Sequence, residues 1–381
     1  MRSWHGFGKG AAAAGLAALI AGAGVLLAGA PPAGASPRPA AAASTSAASN
    51  SVASTSAASK SAWRARSLAR IGAATDVAVD PSANVAFETV SRAGGDAPFR
   101  LERLALGGTK KVVRGPEFPV SQVSVAAGYA WVSGPAVHGF HLRLFQVRIS
   151  TLTVVRSWYL PGGAVPDFRP VPVTAGPAGT AWIGFGDRFW RLNVRTGARS
   201  QRRLPSASLT VTDVAMDPAA AHLYVSAAPK LGGAVVFEYS LRSSKLVATA
   251  KGKPLEFSVS GAELTATPHG VWASFRTGMA GQTVLLRQQG LRLVHVTGGA
   301  TLFGWFMLGS TVYGGGSTWV GLNNGDMGCV GPSTGAVRSR GHLRLLAGGG
   351  ELLGVSAARR EVYALGTSSI LGITAPSTCW R

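Results

Sequence analysis

The sequence predicts an all-β protein, a seven-bladed β-propeller whose last blade is completed by an N-terminal strand. Three observations predict it. A marked aromatic recurs seven times at intervals of 42 to 51 residues. Each recurrence follows a Val- or Leu-rich strand and a turn built of Gly, Pro, Asp or Ala, and that period is the length of a four-stranded blade. The final unit runs out of chain one strand short, while an unpaired strand stands ahead of the first unit. Composition agrees: 46% hydrophobic and 14% charged residues can bury a large core, and 51 Gly and 21 Pro punctuate the chain as turns without a collagen period. Disorder along the whole length and a disulfide-scaffolded miniprotein are both excluded.

The chain starts with Arg2 and Lys9, continues with the apolar run 11–30, and reaches Ala33-Gly34-Ala35 before Ser36. That order is the charged, apolar and small-residue sequence of a secretory signal. We expect residues 1–35 to be a signal peptide cleaved after Ala35, an uncleaved anchor being the alternative because 20 apolar residues can span a bilayer. No cysteine lies near the site, which excludes a lipid-anchored lipoprotein. Residues 36–61 are almost entirely Ala, Ser, Thr and Pro, with no aromatic to anchor them, and read as a flexible linker. Residues 62–381 are the propeller. The uncharged stretch from Leu293 to Asn324, with its neutral His295, is broken by glycines and reads as a buried strand pair and not as a membrane span.

Within the propeller the first strands of the units are marked by Val77-Ala78-Val79, Val123-Ser124-Val125, Val173-Thr174-Ala175, Val214-Ala215-Met216, Leu264-Thr265-Ala266, Thr311-Val312-Tyr313 and Leu353-Gly354-Val355. The second strands carry Phe87, Trp131, Trp182, Tyr224, Trp272, Trp319 and Tyr363. Third strands follow, as at Trp190–Val194 and Cys329-Val330, then fourth strands such as Val337–Arg340. The last unit ends after its third strand, Ile370–Ile373. The segment Trp63–Ile71 is predicted to supply the missing fourth, so that no sheet edge stays open at the junction of the termini.

Cys329 falls in the third strand of unit six, and Cys379 aligns with the turn glycine Gly335, near the third-to-fourth-strand turn of unit seven. In an exported chain two cysteines are most simply a disulfide, here tying the C-terminal tail to the neighbouring blade.

The aromatic-centred units, and Ala175-Gly176-Pro177-Ala178-Gly179-Thr180-Ala181-Trp182 in particular, resemble the exported propellers of the YVTN-repeat and streptogramin-lyase-like superfamily over roughly residues 63 to 381. In the lyase branch, the resemblance implies acidic and polar residues after the blade aromatic, with a metal and a histidine acid/base. Here those positions are Val132-Ser133-Gly134, Ile183-Gly184-Phe185, Val225-Ser226-Ala227, Ala273-Ser274-Phe275, Val320-Gly321-Leu322 and Ala364-Leu365-Gly366, with Glu88 the one acid. That departure argues against lyase chemistry, and no converging set of acids for a divalent metal is expected.

His138, His141, His222, His269, His295 and His342 show no paired metal-ligand spacing; the close pair His138 and His141 reads as a solvated loop, and His269 as part of a Pro-His-Gly turn. No Gly-x-Ser-x-Gly elbow is present, and neither glycine triplet continues as a phosphate loop. No catalytic residue, metal or cofactor is assigned.

Lys and Arg total 37 against 16 Asp and Glu, a net charge of +21, and only two positive charges belong to residues 1–35. The basic residues gather in the predicted fourth strands and their turns, which lie on a propeller's outer rim. Candidates for anion binding are Lys110, Lys111, Arg114, Arg199, Arg202, Arg203, Arg338 and Arg340. Protection of outer strand edges explains cations there. It does not explain the scarcity of acids, which points to anionic envelope material. The sequence is read as an exported, monomeric, non-catalytic binding or scaffolding module at the cell envelope, partnered by an anionic envelope polymer or a protein. Export and the lack of a groove-reading module weigh against nucleic acid. The alternative is a lyase- or hydrolase-type propeller enzyme with its site at one mouth of the channel.

Overall fold

The structure, a computed structural model, describes residues 63–71, 74–91, 98–107, 112–135, 141–161, 171–277, 280–298, 309–322, 324–347 and 350–380. The expected signal peptide and linker, His138, Lys110 and Lys111 lie outside the described residues.

The strands follow the predicted grouping. After β1 (Arg64–Arg70), blade 1 comprises β2 (Ala74–Asp80), β3 (Val85–Ser91), β4 (Phe99–Ala105) and β5 (Val112–Phe118). Blade 2 is β6 (Gln122–Ala126), β7 (Tyr129–Pro135), β8 (His141–Arg148) and β9 (Val154–Pro161). Blade 3 is β10 (Val173–Gly176), β11 (Thr180–Phe185), β12 (Arg188–Asn193) and β13 (Arg199–Arg203). Blade 4 is β14 (Leu209–Met216), β15 (His222–Pro229), β16 (Val235–Ser240) and β17 (Lys245–Ala250). Blade 5 is β18 (Glu263–Thr267), β19 (Gly270–Thr277), β20 (Ala280–Arg287) and β21 (Arg292–Gly298). Blade 6 is β22 (Gly309–Gly314), β23 (Ser317–Leu322), β24 (Asp326–Val330) and β25 (Val337–His342). Blade 7 contributes β26 (Glu351–Ser356), β27 (Glu361–Leu365) and β28 (Ser369–Thr374), with β1 as its fourth strand.

Every sheet is an antiparallel meander in chain order, except that β1 pairs with β28 from Arg64↔Thr374 to Arg70↔Ser369. The first strands of consecutive blades touch one another round the ring, and β26 returns to β2. The closed ring leaves no unpaired strand between the termini, as the sequence predicted.

Burial follows from this geometry. A second strand is covered by a blade on each side, so β11 and β23 are buried at every residue. A fourth strand lies at the rim, so β13 is solvated almost throughout. The apolar clusters lie between blades: one joins Trp131 and Leu144 of blade 2 to Ile183 and Trp190 of blade 3, and another joins Phe87 and Leu101 of blade 1 to Val123 and Val132 of blade 2. Six of the seven marker aromatics are 0% exposed, and the seventh, Trp182, is 6%.

The closure is tightened by tryptophans. Trp63 donates through Nε1 to Ser339 Oγ at 3.0 Å and meets Trp319 edge-on, while Trp380 packs on Trp319 with ring centroids 4.6 Å apart. Glycine permits the approach: a Cβ on Gly341 would lie 2.5 Å from the Trp63 ring, and Gly315, at φ +61°, lies against Trp380.

Candidate functional site

The strand register defines two repeated positions that the sequence alone did not display. The first is the third-strand residue paired with each marker aromatic: Arg103, Gln146, Arg191, Glu238, Leu285, Cys329 and Gly372. In blades 1, 2 and 4 this position reaches the third-to-fourth-strand turn of the next blade, whereas Leu285 and Gly372 in blades 5 and 7 have no polar side chain to do so. Arg103 Nη1 donates to the carbonyls of Ile149 and Ser150, both at 2.7 Å. Gln146 Nε2 donates to Val194 O at 2.9 Å. Glu238, 0% exposed, accepts from Gln289 N at its Oε1 (2.9 Å) and from Gly290 N at its Oε2 (3.2 Å), and His222 Nδ1 lies 2.8 Å from Oε1 as well. Burial, then Glu238 and Asp217, push the neighbouring Tyr224 phenol far upward.

Cys329 occupies the same position in blade 6. Blade 7 has no third-to-fourth-strand turn, because its fourth strand comes from the N-terminus; the C-terminal tail runs there instead. The staple is accordingly covalent, a Cys329–Cys379 disulfide with Cα atoms 5.7 Å apart and both residues buried. The pairing and its place at the closure agree with the sequence expectation.

The second position lies on the innermost strands. The first-strand residue level with the site two residues beyond each marker aromatic is Asp76, Gln122, Pro172, Asp213, Glu263, Ser310 or Glu351 round the ring. Four of the seven are acids. These acids stand on the innermost strands, ahead of the blade aromatics, and not on the second strands after them, where the lyase resemblance places its acidic residues. Several of these residues also link consecutive blades: Asp76 Oδ2 accepts from Val123 N at 2.7 Å, Gln122 Oε1 from Val171 N at 3.1 Å, and Asp213 Oδ2 from Leu264 N at 2.5 Å. Burial raises the Asp76 carboxyl to about 6, against the lowering effect of the Val123 and Val77 amides. Glu351 is raised to about 7, first by desolvation and then by the charges of Glu263 and Asp76. Glu351 itself is solvent-exposed at the start of β26. Among the described residues no three of His, Cys, Asp and Glu come close enough to hold a metal ion.

The histidines are placed apart from these acids. His342 Nδ1 lies 2.9 Å from Asp326 Oδ1, and Asp187 pairs with Arg188 at 3.2 Å. His269 sits in the β18–β19 turn and His141 opens β8 on an exposed face.

The outer strands are strongly one-signed. Among the described residues β1, β5, β9, β13, β17, β21 and β25 together hold twelve Arg and Lys and one acid, Glu117. The anion-binding candidates divide there. Arg199 lies 5.8 Å above the Trp190 ring and donates to Tyr159 O at 3.2 Å, tying blade 3 to blade 2. Arg202 donates to Ser244 O of blade 4, and Arg338 to Gly316 O and Ser317 Oγ, both at 2.7 Å. Arg114 is 3.8 Å from Glu102. Arg203 and Arg340 are exposed and make no side-chain hydrogen bond or ion pair among the described residues. The rim cations thus serve partly as blade-to-blade ties and partly as free surface charge.

No family model matches the chain, and no curated relative matches it in sequence. Among solved structures it is similar to BamB from Moraxella catarrhalis, at 18% identity over 79% of this chain and 84% of that one, with a TM-score of 0.53. It is also similar to the β-propeller domain of Cps50 (Swd1) from Myceliophteria thermophila, at 12% identity over 83% of this chain and all of that one, with a TM-score of 0.56. At such identities the likeness establishes the propeller fold. Among the described residues no helix is long and apolar enough to cross a membrane.

Proposed function

We propose that the protein is an exported propeller of the YVTN-repeat type that acts at the cell envelope as a monomeric binding or scaffolding module. Its rim engages an anionic envelope polymer. The observation that carries the reading is the outer strands' twelve cations against one acid. Residues 1–35 direct export and residues 36–61 tether the propeller. A rim with free cations such as Arg203 and Arg340 attracts polyanions by summed charge, and such attraction falls steeply as salt shortens the screening length from about 10 Å at 0.1 M to about 3 Å at 1 M.

Cosedimentation of the purified protein with anionic cell-wall polymer across a salt series tests this, with charge-neutralised wall as control. Binding should weaken steeply with salt, vanish on the neutral wall, and fall in a variant carrying Arg203→Gln and Arg340→Gln. Salt-insensitive binding, or equal binding to the neutral wall, defeats the reading. The carboxylates of the channel favour one second reading, a propeller enzyme working at the channel mouth, with Glu351 near neutrality as acid or base. Loss of a hydrolase or lyase activity in Glu351→Gln, with rim binding intact, would select it.

A further inference from the structure

The stapling position offers an internal comparison, because the same site is seen in seven blades. In blade 3 it is Arg191, opposite Trp182. Arg103, Gln146, Glu238 and Cys329 all reach the adjoining chain from that position. Arg191 is exposed and makes no hydrogen bond or ion pair among the described residues. A cavity of about 180 Å³ opens beside it at the boundary of blades 3 and 4.

Its walls carry Trp182, Arg191, Arg202, Ser200, Tyr239 and Ser240, and no acidic side chain is among its lining residues. Arg191 pairs with Ser200, and Phe189 with Arg202, two residues along β12 and β13. The two arginines therefore stand on one face of the sheet, about 7 Å apart along the strand direction. Arg202 is held by its bond to Ser244 O and keeps further N–H donors. Tyr239, buried among the lining residues, has its phenol raised by desolvation, which Arg202 partly opposes. Trp182, whose counterparts are wholly covered, is the one marker aromatic with residual exposure.

We propose that this inter-blade cleft is a specific binding site for a single sugar-sized ring bearing one phosphate or carboxylate group. The volume suits one ring, since a dry cavity of about 150 Å³ holds a benzene-sized guest. Guanidinium forks match the paired oxygens of carboxylate and phosphate. The hydroxyls of Ser200, Ser240 and Tyr239 supply polar partners for ring hydroxyls, and the aromatic wall supplies a flat apolar face. The inference rests on the rim as an anion-binding surface and assigns it a discrete pocket. Soluble probes report the cleft, whereas wall cosedimentation reports the rim.

Titration calorimetry on the purified protein with glucose 6-phosphate, glucuronate and glucose tests it. At least one of the two anions should bind, and glucose at least tenfold more weakly. Arg191→Gln, an exposed change that leaves the melting temperature in place, should weaken the anion at least tenfold. Arg360→Gln, an exposed change in the β26–β27 turn outside the cleft and outside the rim strands, should leave it within twofold. Displacement of the probe by soluble wall polymer would identify the unit as part of the polymer; retention of the probe would identify a free sugar anion, and both support the site. Absence of binding by either anion, equal binding of glucose, or equal losses in the two variants would overturn it. A rim that binds wall polymer while the cleft ignores every probe overturns the cleft alone. Probe binding without wall binding overturns the rim reading alone.

Discussion

Replacing both Cys329 and Cys379 by alanine removes the one covalent staple of the ring. The two residues are 50 apart in sequence. Cross-linking a loop of that length removes about 14 cal/mol/K of entropy from the unfolded chain, equivalent to about 4 kcal/mol at 25 °C. The propeller's unfolding entropy, at about 2.1 cal/mol/K per residue over about 320 residues, is about 0.7 kcal/mol/K. The quotient is a fall in melting temperature of about 6 °C. Burial of both residues beside Trp319 and Trp380 adds a packing loss in the same direction. Scanning calorimetry of the oxidised protein and the double alanine variant measures the fall, and a reductant should lower the parent protein toward the variant while leaving the variant where it was. An oxidised parent and variant that melt together would refute the argument, because the tail would then be held by the tryptophan contacts alone.

Glu351→Gln should stabilise the protein at pH 8 and leave it nearly unchanged at pH 5, by thermal melting at each pH. The folded carboxyl titrates at about 7 against an ordinary 4.5. The folded state therefore holds its proton more tightly, and stability falls as pH rises through that window. Glu351 is exposed, so solvent screens the charge and the expected gain is about 1 kcal/mol, or about 1.5 °C. Glu238→Ala strands the amides of Gln289 and Gly290 at the blade 4–5 boundary and should cost about 2–4 kcal/mol; the urea midpoint should fall with an unchanged slope, and Glu238→Gln, which keeps one acceptor oxygen, should recover part of it.

The markers legible in the sequence are those that repeat locally. Each marker aromatic follows its own turn by a few residues, so the blade period, the strand order and the missing last strand can be counted along the chain. Cys379 could be aligned with Gly335 for the same reason. The stapling position was not legible, because Arg103, Gln146, Glu238 and Cys329 share no chemistry. They share only a register opposite the aromatic, and register depends on hairpin lengths that vary between blades. The channel acids left a fainter trace. Asp76, Asp213, Glu263 and Glu351 each stand directly before an apolar residue of a first strand, as do Gln122 before Val123 and Pro172 before Val173. That trace was missed because acids were sought beyond the aromatic, on strands that prove to be sealed between blades.

The same seven-fold comparison bears on what the charge is for. Asp76, Asp213, Glu263 and Glu351 stand on the innermost strands, and other acids form buried ties such as Glu238 and Glu361, the latter 3.1 Å from Arg66. Positive charge is concentrated at the rim. Edge protection alone requires cations on each outer strand without regard to acids elsewhere. Among the described residues the outer strands hold one acid, so only a few rim cations, such as Arg66 beside Glu361 and Arg114 near Glu102, have an acidic partner. That shortage of partners raises the outward potential beyond what edge protection demands, which is the physical ground for a polyanionic partner. At the blade 3–4 boundary the arginine of the stapling position makes no tie among the described residues, and it borders the cavity together with Arg202, so the rim's general attraction has a place to become a specific one.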